Sequence, residues 1–451
     1  MSNERNGFSS RLGFVLATAG SAVGLGNIWR FPYLAAKYGG GTFLLTYLIL
    51  TLTFGFSLMI TEVALGRRAG TSAIRAFGHF NKKYTFIGYL TTLIPFIIFP
   101  YYCVIGGWVT KYALVSIQGG IHDAASDTFF TGFISKSAEP MIYVLVFLIV
   151  TTLVVAGGVK GGIERVSTIM MPVLIVLLIG VSLFCITRPG AMAGVAYYLK
   201  PSLKGFGPTT ILAALGQLFY SMSLAMGIMI TFGSYMPKKA DLEKSVTQVE
   251  IFDTGVAFLA GLMIVPAVFI FSNGDSSMLA KGPSLMFVML PKVFNSMAFS
   301  SIIAAVFFIL VLLAALTSSI SLLETLVAVL MDKFHMKRGT ACITMFIVAL
   351  LLAVPSSLGF GAWSNITILG FDFLDFFDFI SNSVLMPIAA FLTCIFVGYI
   401  IKPKEIIDEV ESSGEFKRKP LFLVMVKYIA PICIVAILVF SVLEGLGFIT
   451  V

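Results

Sequence analysis

The sequence predicts an all-α polytopic membrane protein, and three observations carry that prediction. Of 451 residues, 58% are hydrophobic and 12% charged, and the mean hydropathy is +0.99. That is too apolar for a soluble fold and supplies many runs of the ~20 residues that cross a bilayer. Eleven apolar runs follow one another, at about 12–36, 42–66, 87–117, 140–157, 163–186, 209–236, 245–272, 296–331, 340–355, 367–401 and 421–446. The first and the sixth are interrupted at mid-span, and each opens a block of five, the pattern of two related halves. Repeat one would cover about 11–186, repeat two about 209–401, and an extra helix about 421–446, all in a single transmembrane domain.

The first span has helical ends and a middle, Gly20-Ser21-Ala22-Val23-Gly24-Leu25-Gly26-Asn27, that does not suit a helix. Each glycine there weakens a helix by roughly 1 kcal/mol relative to alanine. Lipid cannot satisfy the freed N–H and C=O groups, so such backbone lines a protected cavity. The other reading is a glycine patch where helices pack closely. The fifth carries Gly162 and Pro172, a stretch that allows local unwinding or a plain kink. The sixth answers the first: Gln217 to Gly227 is rich in hydroxyls and small residues at mid-span and again reads as a broken helix. The seventh places Asp253 in mid-membrane, where an ionisable residue is a functional candidate by default. The eighth carries Thr317-Ser318-Ser319, oxygens that suit a hard cation or ordinary i−4 and helix-to-helix hydrogen bonds.

Charge and reactive residues narrow the function classes. The formal net charge of +8 does not point to nucleic acid, because the basic residues lie between apolar runs. With the N-terminus inside, the inner segments hold about 20 of the 30 Lys and Arg residues, a positive-inside asymmetry. An odd number of spans then puts the C-terminus outside, with the protein in the cell inner membrane. The polar first ten residues and full-length first run give no sign of a cleaved signal peptide. The five cysteines are scattered through apolar segments, and the three histidines fall in expected loops, without the spacing of a metal site or disulfide frame. No nucleophile, metal or acid–base cluster supports an enzyme. The inner loop at about 402–420 mixes both charges and is expected to be solvated.

Six motifs carry a resemblance: GSAVGLGNIWRFP at 20–32, YGGGTF at 38–43, TEVALGR at 61–67, GQLFYSMSLAMG at 216–227, KGPSLMFVMLP at 281–291 and LTSSISLLE at 316–324. The chain resembles, over nearly its whole length, the neurotransmitter:sodium symporters, specifically the eleven-span bacterial amino-acid branch. The resemblance implies a five-plus-five inverted repeat, the leucine-transporter-like fold, with helices 1 and 6 broken at mid-membrane.

It also implies two Na+ ions and an amino-acid site. The first sodium falls on Ala22, Asn27, Ser221 and Asp253, completed by the substrate carboxylate, and the second on Gly20, Val23, Ala314, Thr317 and Ser318. The substrate would touch Ala22, Val23, Leu25, Gly26, Ile98, Tyr102, Tyr220, Ser221, Ser223, Met226, Ser318, Ser319 and Leu322. Its carboxylate would meet the N–H groups of Leu25 and Gly26 and the Tyr102 hydroxyl. The pocket has no acidic or basic group, which implies a neutral side chain, aliphatic or aromatic.

Asp253 departs from the many relatives with asparagine there. Chloride-dependent relatives hold an anion with a tyrosine and a glutamine like Tyr47 and Gln217 and a serine; the serine position is Ala257 here. Asp253 lies one helical turn earlier and can supply the missing negative charge, or stay neutral beside a partner. The resemblance further implies an outer gate of Arg30 and Asp378 above a Tyr102/Tyr220 lid. The inner latch would join Arg5 and Phe8 to Tyr235 and Asp332, and Glu62 would bond the broken backbone of the sixth span. The expected function is sodium-coupled, chloride-independent uptake of a neutral, hydrophobic L-amino acid by alternating access in a lipid bilayer; one protomer suffices. The alternatives are a proton-coupled carrier or a non-transporting amino-acid sensor on the same fold.

Overall fold

The computed structural model describes residues 7–202, 206–271 and 284–448. Its regular structure is helical throughout, with one isolated bridge between Ile368 and Phe371. Nine helices among the described residues are long and apolar enough to cross a membrane: Gly41–Ala69, Lys82–Ile117, Glu139–Ala156, Val159–Ile186, Leu242–Phe271, Ser300–Phe334, Arg338–Leu358, Phe373–Ile400 and Lys419–Gly445. The first span is a bent pair, Arg11–Ala22 and Gly26–Lys37, turning by 55° at its break. The sixth span is two short helices, Pro208–Ser221 and Ile228–Tyr235.

The composition explains this layout. Backbone groups in lipid must be satisfied within a helix, so the uninterrupted apolar runs become long helices. Large apolar side chains such as Leu153, Val176, Ile251, Ile302, Leu351 and Ile432 remain exposed, forming the surface that faces lipid. The two broken spans are buried at the centre. The Arg11–Ala22 half packs on the fifth, seventh and eighth spans, and the third and eighth spans pack along one another.

Small residues set the closest crossing. A Cβ added to Gly66 would meet the Ile230 carbonyl oxygen at 1.8 Å, and one added to Gly233 would meet that of Val63 at 2.3 Å. These reciprocal contacts draw the second span against the inner half of the sixth, as small residues do between membrane helices.

The inner loop departs from expectation. Segment 402–420 is docked rather than merely solvated. It forms the helix Lys404–Glu411, whose Ile406, Ile407 and Val410 are buried. Arg67 of the second span, itself buried, bonds Glu409 at 2.7 Å, and Arg418 reaches Glu250 at 3.0 Å and lies over the Phe56 ring. Charge mixing along the sequence reads as solvation, but here opposite charges are separated onto different elements. His79 likewise sits on a short helix, Ala73–Phe80, rather than in a loop.

Candidate functional site

The two breaks meet face to face. Ser223 and Ala225 adopt positive φ values of 52° and 62°, a conformation costly for residues with a Cβ. Two bonds hold it. The Ser223 hydroxyl donates to the Ser21 carbonyl at 3.0 Å, and the Ala225 N–H donates to Glu62 Oε1 at 2.7 Å. The second bond is the one expected of Glu62: a carboxylate on an intact helix replaces a helical partner that the broken backbone lost.

Between the breaks lies a narrow cavity of about 30 Å³, lined by Ser21, Ala22, Gly24, Leu25, Gly26, Ile98, Tyr102, Tyr220, Ser221, Ser223, Met226, Ile228, Ser318 and Leu322. The lining contains no charged side chain. The Tyr102 hydroxyl is buried without a well-formed hydrogen bond, and the Leu25 N–H and the Ser318 hydroxyl are the polar groups beside it. A buried unpaired donor costs free energy, so this end of the cavity is suited to an acceptor such as a carboxylate. Ile98, Met226, Ile228 and Leu322 make the rest apolar.

On one side of the cavity Asn27, Ser221 and Asp253 converge. Asn27 Nδ2 donates to Asp253 Oδ1 at 2.7 Å and to the Ser221 hydroxyl at 2.9 Å, and Ser221 donates to Asp253 Oδ1 at 2.8 Å. Tyr47 donates to Asp253 Oδ2 at 3.1 Å. Asp253 is fully buried and surrounded by donors, while Gln217 donates instead to the Gly26 carbonyl at 2.9 Å. On the other side the Ser318 hydroxyl lies 3.0–3.4 Å from the carbonyls of Gly20, Ser21 and Val23. Thr317 donates to the Ala314 carbonyl at 3.0 Å. The second cluster is made of hydroxyl and carbonyl oxygens, and the first joins a carboxylate and a hydroxyl to the Asn27 amide, whose nitrogen faces them while its Oδ1 accepts the Gly24 N–H at 3.1 Å; hard cations take oxygen ligands of these kinds.

A profile of the Sodium:neurotransmitter symporter family matches residues 5–132 and 128–446. The chain belongs to that family. It is 35% identical to an uncharacterized sodium-dependent transporter of Haemophilus influenzae over 97% of this chain and 98% of that one. It is 24% identical to the sodium- and chloride-dependent GABA transporter 2 of Homo sapiens over 98% of this chain and 80% of that one. A crystal structure of MhsT in complex with L-phenylalanine matches with a TM-score of 0.87 at 38% identity, covering 97% of this chain and all of that one. The symporter fold is therefore the leucine-transporter-like one that the motifs imply. The protein is a multi-pass membrane protein of a sodium-dependent transporter family, not an enzyme.

Most residues expected at the substrate site line the cavity, but Val23 and Ser319 do not. Val23 offers its carbonyl to Ser318, and the Ser319 hydroxyl is 3.0 Å from that of Thr151 on the fourth span. Three residues outside the expected set, Ser21, Gly24 and Ile228, also line it. Ser21 and Gly24 were not among the expected site residues, although both sit inside the first break, whose sequence was the signal that could have found them. Ile228 opens the second half-helix, and nothing in its type marked it.

The gate residues are placed unevenly. Tyr220 lines both the cavity and a wider vestibule of about 550 Å³ above it, so its ring separates the two. Arg30 and Asp378 line that vestibule without forming an ion pair. The Arg30 guanidinium lies 5.6 Å from the centre of the Tyr220 ring, and Asp378 accepts from Tyr101 at 3.1 Å and Asn382 at 2.6 Å. At the other end Phe8 packs on Phe14, Phe232 and Tyr235, and its N–H bonds the Tyr235 carbonyl at 3.0 Å. Asp332 accepts from the Ser72 N–H at 2.7 Å, and Arg5 lies outside the described residues. The sequence reading missed Glu324, fully buried, which binds Arg338 at 2.6 Å and the Tyr235 hydroxyl at 2.7 Å. A charged residue late in an apolar helix could have marked it.

Proposed function

We propose that this protein is a sodium-coupled symporter that takes up a neutral, hydrophobic L-amino acid by alternating access, with two sodium ions and without chloride. The cavity between the two breaks carries this reading. One end presents the Leu25 N–H and the Tyr102 hydroxyl, the other is apolar, and the lining holds no charge. The substrate carboxylate would take the polar end, and its amine the carbonyls of Ala22 and Tyr220 and the Ser318 hydroxyl. Its side chain would lie among Ile98, Met226, Ile228 and Leu322. The likeness to MhsT, crystallised with L-phenylalanine, supports a hydrophobic side chain. A cavity of about 30 Å³ has room for only about two waters, so the side chains around it, flexible Met226 first, must part to admit the substrate.

The first sodium would sit at Ala22, Asn27, Ser221 and Asp253, and the second at Gly20, Val23, Ala314, Thr317 and Ser318. Sodium bound there favours the state open to the outside and completes the substrate site, and substrate then favours closure through its differential contacts. Arg30 and Asp378 would close from above, and Phe8, Tyr235 and Asp332, with Arg5, from below. The proposed orientation in the cell inner membrane has the N-terminus cytoplasmic and the C-terminus extracellular. Asp253, buried among three donors, would provide the fixed negative charge that balances sodium. The same burial favours one second reading, in which Asp253 carries a proton on the return step.

The experiment is uptake of labelled amino acids into proteoliposomes with and without a sodium gradient. Uptake of one or more hydrophobic amino acids that collapses without sodium is expected. Sodium-independent uptake at the same rate, or none for any amino acid, would overturn the proposal.

A further inference from the structure

The inner half of the first span is fastened at a place the gate residues do not account for. Glu164, on the fifth span, is buried although its residue type is almost always exposed. Its two carboxylate oxygens reach across to the start of the first span. Oε2 accepts the Ser9 N–H at 2.8 Å, and Oε1 accepts the Ser9 hydroxyl at 2.6 Å and the Ser10 hydroxyl at 3.4 Å. Ser10 already caps the Arg11–Ala22 helix by accepting the Gly13 N–H at 3.0 Å. The carboxylate therefore holds the two residues that lead into the helix, the capping Ser10 among them, from another element and near the positive end of the helix dipole. The fit leaves no slack, because a Cβ added to Gly13 would fall 1.9 Å from Glu164 Oε1.

Glu164 also occupies a mechanically distinctive position. It ends a π-helical turn, Val159–Glu164, that follows Gly158 at φ 82° and leads into the regular helix Arg165–Ile186. Two turns further on, Met171 lies against the first break: its sulfur is 3.4 Å from where a Gly20 Cβ would sit, beside Thr317. The fifth span thus covers the inner side of the proposed second sodium site, and Glu164 is the polar bond at the foot of that cover.

We infer that Glu164 is a positioning residue for the transport cycle: it clamps the inner half of the first span to the fifth, and its release lets the path from the second sodium site to the cytoplasm open. This rests on the alternating-access reading above but assigns a residue that the reading does not need. Phe8 and Tyr235 tie the same segment to the sixth span, so Glu164 is a second, polar tie whose loss biases opening without removing the first.

The test measures accessibility at the two ends of the path. A cysteine is introduced in place of Met171 on the inner side, or of Ala213, which lines the outer vestibule. Each is combined with native Glu164, Glu164→Gln or Glu164→Asp in purified full-length protein in lipid nanodiscs. Maleimide labelling is followed at each site by mass spectrometry in sodium and in potassium. Losing a hydrogen bond to a charged group shifts a two-state equilibrium roughly tenfold or more. In sodium, Glu164→Gln is therefore expected to label Met171→Cys about tenfold faster than the parent and Ala213→Cys more slowly, with Glu164→Asp between. Sodium should restore slow inner labelling only at proportionately higher concentration.

Unchanged inner labelling in Glu164→Gln overturns the inference. So does faster labelling at both positions, which is the signature of a loosened fold. A parent protein whose labelling is the same in sodium and potassium overturns the sodium-coupled reading instead, whatever Glu164→Gln does.

Discussion

Tyr102 is the residue on which the proposed substrate pose depends most. Its hydroxyl is buried without a well-formed hydrogen bond, and a carboxylate ligand would satisfy it. Tyr102→Phe removes the donor while keeping the ring. A hydrogen bond to a charged group contributes about 1.5–3 kcal/mol, so affinity should fall tenfold or more for every amino acid that binds, as read by scintillation proximity or calorimetry. Asp253 supports a second prediction. It already accepts from Asn27, Ser221 and Tyr47, so transport should be indifferent to replacing chloride by gluconate. Combining Asp253→Asn with Ala257→Ser removes the fixed charge and supplies a hydroxyl one turn away; if the protein remains active, it should then require chloride. A wild type that stops in gluconate would refute the role of Asp253. Thr317→Val, which deletes a hydroxyl but keeps the shape, should raise the sodium concentration needed for half-maximal binding several-fold.

At the level of elements, the second span holds two neighbours in register. Its Gly66 meets the Ile230 carbonyl of the sixth span, and its Arg67 is buried against Glu409 of the inner loop. Gly66→Ala would drive a methyl group into backbone that cannot move away alone, and overpacking of this kind costs about 1–3 kcal/mol. Arg67→Met would take the buried partner from Glu409, leaving it Lys238 at 3.0 Å and Arg68 at 3.7 Å, and would also free the Ala240 carbonyl, so the cost belongs at the lower end of about 3–5 kcal/mol. Both variants should lower the midpoint of thermal unfolding in detergent, Arg67→Met by more; a midpoint unchanged in Arg67→Met would mean that the docked loop contributes nothing to stability. The same loop could not be recognised in the sequence, because Glu409 and Arg67 lie 342 positions apart and only folding makes them a pair.

For the whole molecule, the cavity and the vestibule share one wall, the Tyr220 ring, with Arg30 against its face. A barrier that thin gates access without building the ion sites. Arg30→Ala should therefore cut the uptake rate severely while changing equilibrium sodium binding by less than about threefold, since the Arg30 side chain lies outside both oxygen clusters. Equal loss of both would assign Arg30 a structural role.

The division between what the chain determined alone and what tertiary structure decided runs along one physical line. Hydropathy and backbone satisfaction are local: a run of apolar residues must become a helix in lipid, and a run of glycines or hydroxyls at its middle must break, wherever the neighbours lie. That made the class, the long spans and the two breaks of this protein legible, and with them the kinds of atom at its centre. Which side chain faces the centre is not local. Successive helical residues point about 100° apart, so Ser318 and Ser319, identical in type and adjacent in sequence, go to different neighbours. Ser318 meets the first break, and Ser319 meets Thr151. The packing of the eighth span against the third and the fourth decides that rotation, just as packing alone brings Glu164 to Ser9 across 155 positions. Chemistry was written in the residues; facing was decided by the helices they pack against.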